Sequence, residues 1–85
     1  MDEGIAKLAQ EIAHQLDLRG MIAPITLLKV TQAFRRLNPG ETLEILGSDV
    51  QTRNDLFQIL EAPRYELVSS QDDKAFYRML LKKRD

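Results

Sequence analysis

The chain has 85 residues, enough for one small domain with a thin core. An apolar fraction of 44% excludes a disordered chain, and 12 basic against 13 acidic side chains leave a formal net charge of −1, which argues against a dedicated nucleic-acid binder. There is no cysteine, so disulfides, thiolate metal sites and thiol nucleophiles are excluded and a reducing compartment fits.

Residues 1–12 place Ile5, Leu8, Ala9 and Ile12 at helical spacing, with Lys7, Gln10 and Glu11 on the other side. A short N-terminal helix is predicted there, too short to persist unless its stripe packs on the sheet, a partner or a second copy. A homodimer through this helix is one expectation. The opening "MDEG" carries two acids and no long apolar run follows it, so no signal peptide is expected. No segment approaches the roughly 20 apolar residues that span a bilayer, and a cytoplasmic location is the simplest expectation.

In "HQLDLRG", His14, Leu16 and Leu18 alternate with Gln15, Asp17 and Arg19, which is strand spacing, and Gly20 ends it. Pro24 then suits the first position of a helix whose stripe is Leu27, Val30, Phe34 and Leu37, with Leu28 and Ala33 beside it. "NPG" (38–40) stops that helix, and "ETLEILG" reads as a second strand with Leu43 and Ile45 on one face. Ser48 or Asp49 can cap a second helix, for which Val50, Leu56, Phe57, Ile59 and Leu60 are the expected buried side. Pro63 closes it. "RYELVSS" and "KAFYRMLLK" alternate as strands about a polar "QDD" turn.

The order is strand–helix–strand–helix–strand–strand after the short helix. Crossovers of one hand place both helices on one side of the sheet. The expected fold is α+β: a two-layer sandwich with a four-stranded mixed sheet and two helices on one face. Residues 1–85 form a single domain in this reading, with an N-terminal extension (1–12) and a core (13–83). The other sheet face is left open.

"LDLRGMIAP" before a helix, "NPGETLEI", "SDVQTRNDL" and "FYRMLLKK", taken in order, resemble the TusA/SirA sulfur-carrier family. The likeness runs over about residues 14–83. That family carries the pattern LD-x-RG-x-x-Cys-Pro-x-Pro at the first strand–helix turn; Leu16, Asp17, Arg19, Gly20 and Pro24 match it. Pro39–Glu41 and the pair Thr52 and Asp55 match as well. The resemblance implies a persulfide held on the turn cysteine and passed between a desulfurase and later acceptors. A thiol at a helix N-terminus is suited to this, because unpaired N–H groups and the helix dipole favour the thiolate.

Here Ala23 occupies the sulfur-carrying position, Thr26 replaces the second proline, and Arg64–Tyr65 stand where relatives often have Gly-His. Carrier chemistry, as the family runs it, has no atom to run on. The reading that follows is a non-catalytic TusA/SirA-like protein, regulatory or accessory to sulfur relay, with no cofactor and a protein partner. The partner-binding residues it implies are Arg19, Gly20, Met21, Ile22, Ala23 and Pro24, with Met21 and Ile22 either presented to a partner or tucked beneath the turn. An empty helix N-terminus there is also suited to a partner's carboxylate.

The alternatives are a sulfur carrier whose residue 23 was exchanged from cysteine to alanine, and a nucleic-acid-binding regulator. The latter would use Arg78, Lys82, Lys83 and Arg84 with Phe76 and Tyr77, a set that reads more simply as a solvated strand edge. His14 is the sole histidine and has no second ligand near it in sequence, so no metal site is expected. Ser48, Ser69 and Ser70 lack a base spaced to activate them.

Overall fold

The computed structural model describes residues 14–84; the expected helix over 1–12, and a dimer through it, lie outside the described residues. The elements are β1 (His14–Leu18), α1 (Ile25–Arg35), β2 (Thr42–Gly47), α2 (Val50–Ile59), β3 (Tyr65–Asp72) and β4 (Tyr77–Lys83), with a 3-10 turn (Ala62–Arg64) before β3. The sheet order is β1-β2-β4-β3. β1 and β2 are parallel, with Leu16 opposite Ile45, while β4 runs antiparallel to both β2 and β3. Three strands therefore point one way, and each helix returns from the end of one to the start of the next. Both helices consequently begin at the same end of the sheet, which is what assembles the site.

The core follows from strand alternation. Leu43 and Ile45 of β2 lie opposite Leu81 and Met79 of β4, and all four are at most 1% exposed. α1 covers them with Val30 and Phe34, and Leu37 beyond its end is buried too. Tyr65 meets Phe34 edge-on and lies tilted against Phe57, both at 6.4 Å between ring centres.

Two expectations are corrected. On α2 only Thr52 and Leu56 are buried, continued by Leu60 at its C-cap, whereas Val50 (56%), Phe57 (42%) and Ile59 (41%) are substantially exposed. A short helix lying over so small a sheet touches it with one row of positions four apart, and the other apolar side chains fall off the contact line. The "QDD" turn also lies later than expected: β3 continues through Gln71 and Asp72, paired with Arg78 and Tyr77. The reversal is closed by Asp73 N–H donating to Phe76 O at 2.8 Å.

Gly47 has a specific reason to be glycine. A Cβ at this position would lie 2.3 Å from Tyr77 Oη, because the phenol lies flat across β2 beneath the start of the helices. That hydroxyl is buried and has no hydrogen-bond partner among the described residues. Burial, with the Asp49 charge second, raises the phenol's pKa.

Candidate functional site

The site is the turn between β1 and α1 together with the first turn of α2. After Leu18 the chain reverses through Gly20, whose φ of +82° favours glycine, and Met21 N–H donates back to Leu18 O at 3.0 Å. Gly20 N–H reaches across to Ser48 Oγ at 2.9 Å. The Ala23–Pro24 peptide is cis, and Pro24 is the N-cap of α1 rather than its first helical residue. Proline has no side-chain oxygen to accept the free N–H groups of a helix start.

Asp49 is the acceptor at the neighbouring helix start. As the N-cap of α2, its Oδ1 accepts from Gln51 N–H at 3.2 Å. Its Oδ2 accepts from Thr52 Oγ1 at 2.7 Å and, across the gap, from Ala23 N–H at 2.9 Å. One carboxylate thus caps α2 and ties it to the residue just before the cap of α1. The Ala23 N–H, then the Thr52 hydroxyl, hold its pKa below the ordinary carboxylate value.

Thr26 is 1% exposed, and its Oγ1 lies 2.6 Å from Oγ1 of Thr52, which is fully buried. A hydroxyl has one proton, and Thr52 gives its own to Asp49; Thr26 is therefore the donor to Thr52. The result is a directed relay, Thr26 to Thr52 to Asp49, meeting the Ala23 N–H at the carboxylate. The residue standing where the family has its second proline thus bolts α1 to α2, which a proline ring cannot do.

Asp49 already places an anion beside Ala23, so a further carboxylate or thiolate at this position would meet like charge. Ala23 itself is half-buried and offers a methyl group.

The other residues singled out from the sequence are divided by the fold. Arg19 is paired with Asp17 in a two-pronged contact (Nη2–Oδ2 2.7 Å, Nε–Oδ1 2.9 Å), and its guanidinium lies 5.3 Å from the Phe76 ring centre. The Arg19 guanidinium lowers the Asp17 pKa to about 2. Met21 packs against the core, whereas Ile22 is 70% exposed. Pro24 is exposed, and Ile25, Leu28 and Val50 add apolar surface about the same two helix starts.

The basic set considered for nucleic acid is divided between two faces. Arg78 and Lys82 alternate with Met79 and Leu81 and so lie on the sheet face away from the helices, where Arg78 is 3.5 Å from Glu44; Lys83 lies on the helix side. Phe76 is covered by Arg19. His14 Nε2 is 3.9 Å from Glu41 Oε1, and among the described residues no group of three or more metal-ligating side chains occurs. No helix among them is long and apolar enough to cross a membrane.

The sequence offers Ser48 or Asp49 as the cap but nothing of a bridge between helices, and Thr26 stands in it only as a departure from a pattern. The local signal, a threonine in the first turn of each helix, is visible in the chain. Their contact across the helices is not.

The family model described as Sulfurtransferase TusA matches residues 14–83. Among solved structures, a SirA-like protein from Desulfitobacterium hafniense superposes with a TM-score of 0.69 at 18% sequence identity, over 85% of this chain and 99% of that one. At that identity the superposition speaks for the fold alone. The family match spans every described strand and both helices, and the chain belongs to the TusA family, which ties it to sulfur relay.

Proposed function

We propose that this chain acts in sulfur relay by binding a relay protein through the Arg19–Pro24 turn, without itself carrying sulfur. The observation that supports this most is the state of residue 23. Where relatives would present a thiol there is a methyl group, and the neighbouring N–H is already bonded to Asp49 at 2.9 Å. No acid, base or nucleophile replaces it. What the turn offers is shape and apolar surface: Ile22, 70% exposed, stands at its tip with Ile25 and Val50 nearby. Large apolar side chains of this kind, held on a rigid base, are typical anchors of protein interfaces.

The carrier alternative, in which residue 23 was exchanged for alanine, is weakened by Thr26. Its hydroxyl is built into the bond to Thr52, so the motif differs at a second place that is matched to its surroundings. A cysteine codon at position 23 of the encoding gene would restore that alternative.

The test has two arms, both using a cysteine desulfurase as the relay protein. The unmodified chain is expected to bind it and gain no sulfur by mass, and Ile22→Glu is expected to lose binding while keeping its fold. The Ala23→Cys variant, loaded by the same enzyme, would show that the docking geometry is retained. Binding that Ile22→Glu leaves intact, or sulfane sulfur on the unmodified chain, contradicts the proposal.

A further inference from the structure

At the opposite end from the turn, the two helices finish side by side. Between their last turns lies a groove of about 180 Å³ with Phe34, Ile59 and Leu60 as its floor and Arg35, Arg64 and Lys83 at its edge. Helix C-termini carry partial negative charge, and one cation at each is ordinarily enough to offset it. Lys83 does this for α1: its Nζ donates to Leu37 O at 2.9 Å and lies 5.6 Å from the Phe34 ring centre.

The remaining cations exceed that need. Arg35 is exposed and makes no ion pair among the described residues. Arg64 pairs with Glu61 at 3.1 Å, but both side chains are about two-thirds exposed, a kind of contact readily exchanged for another anion. Arg84 is held at the same edge by its N–H bond to Arg64 O at 2.9 Å. Among the described residues Glu61 is the one carboxylate lining the groove. An apolar floor is thus ringed by positive charge in a chain whose net charge is −1.

We infer that this groove docks an acidic segment of a partner protein, with one large apolar side chain against the exposed Ile59 and flanking carboxylates on Arg35 and Arg64. Charge complementarity selects the acidic segment, and the floor selects the apolar anchor. A nucleic acid fits less well, since the Phe34 ring is covered by Lys83 and leaves no free face to stack a base. The inference goes beyond the turn-based reading and does not depend on it, because the two surfaces lie at opposite ends of the helices.

Amide spectra of the full isotope-labelled chain, titrated with the acetylated peptide EELFEE, provide the test. Shifts are expected around residues 31–35, 59–64 and 83, and binding should weaken as salt is added. The neutral peptide QQLFQQ, and the chain carrying Arg35→Glu with Arg64→Glu, should each bind at least about tenfold more weakly. Both arginines are exposed, so the variant's unchanged spectrum elsewhere certifies its fold. Absence of localised shifts, equal binding of the neutral peptide, or tighter binding of an oligothymidine at the same residues overturns the inference. So do the same shifts produced by raising the chain's own concentration, which would assign the groove to a second copy.

Discussion

At the start of the two helices the polar side chains of the turn are engaged within the chain: Asp49 caps α2 and holds the Ala23 N–H, Thr26 and Thr52 lie between the helices, and Arg19 is held by Asp17. The Tyr77 hydroxyl beneath them has no partner among the described residues. At their far end Arg35 has no described anion, and Arg64 has only an exposed one. The exposed surface divides in the complementary way, apolar at Ile22, Ile25 and Val50 and basic around the groove. The contrast teaches that a turn with alanine at residue 23 can still be firmly tied. In this chain the turn is rigidly tied and presents shape, while unspent charge has been left at the other end.

The comparison can be broken most forcefully from below. Gly47→Ala drives a methyl group into the Tyr77 ring under the helix starts and should destabilise the fold by about 3 kcal/mol, read from denaturant midpoints. Tyr77→Phe, by contrast, removes a buried hydroxyl without a partner and should leave stability unchanged or slightly raised. A large loss there would mean that the hydroxyl is bonded after all.

The relay direction sharpens the comparison next. Thr52→Val removes the middle of the chain of hydroxyls and strands the Thr26 proton, for an expected cost of about 2 kcal/mol. Thr26→Val removes only the outer donor and should cost roughly 1 kcal/mol, and the two losses should not add. Additive losses, or a costlier Thr26→Val, would reverse the assigned direction.

Smaller still is the effect of Asp49 on a thiol placed beside it. In an Ala23→Cys background, adding Asp49→Asn should lower the thiol pKa and raise its alkylation rate near neutral pH severalfold, because an adjacent anion is removed. An unchanged pH–rate profile would show that Asp49 does not electrostatically control the site.

The smallest effect concerns Asp17. Its carboxyl is lowered from 3.8 to about 2 in the folded chain, so its contribution is fully present above the unfolded value and is lost as pH falls from about 4 toward 2. Asp49 acts with the same sign. Because the Asp17–Arg19 pair is exposed, Asp17→Asn should flatten the acid limb of the stability curve only slightly, as melting temperatures against pH would reveal.

Strands β1, β2 and β4 were legible because alternation is a local property: Leu16 and Leu18, Leu43 and Ile45, and Met79 and Leu81 all face the core as their spacing requires. The alternation expected of β3 is not met, since a register shift between Leu67 and Ser69 at this sheet edge leaves Leu67 and Val68 both exposed and only Tyr65 buried. Helix α1 was equally legible from its stripe. Helix α2 was not, since its composition does not reveal how small a sheet it covers, and Val50, Phe57 and Ile59 consequently emerge at the surface. The turn's position was readable from Gly20 and Pro24. Its internal bonding was not, because Ala23 and Asp49 are 26 residues apart, as are Thr26 and Thr52. Contacts over that separation depend on the parallel crossover placing both helix starts together, which only the assembled sheet shows.

The central claim, a turn that recognises without carrying, is tested most directly by competition. A cysteine desulfurase, radiolabelled cysteine and a cysteine-bearing TusA-family carrier are mixed with increasing amounts of this unmodified chain. The account predicts that label on the carrier falls as the chain is added while the chain itself stays unlabelled. Label appearing on the chain, or carrier loading that no excess of the chain reduces, would contradict it.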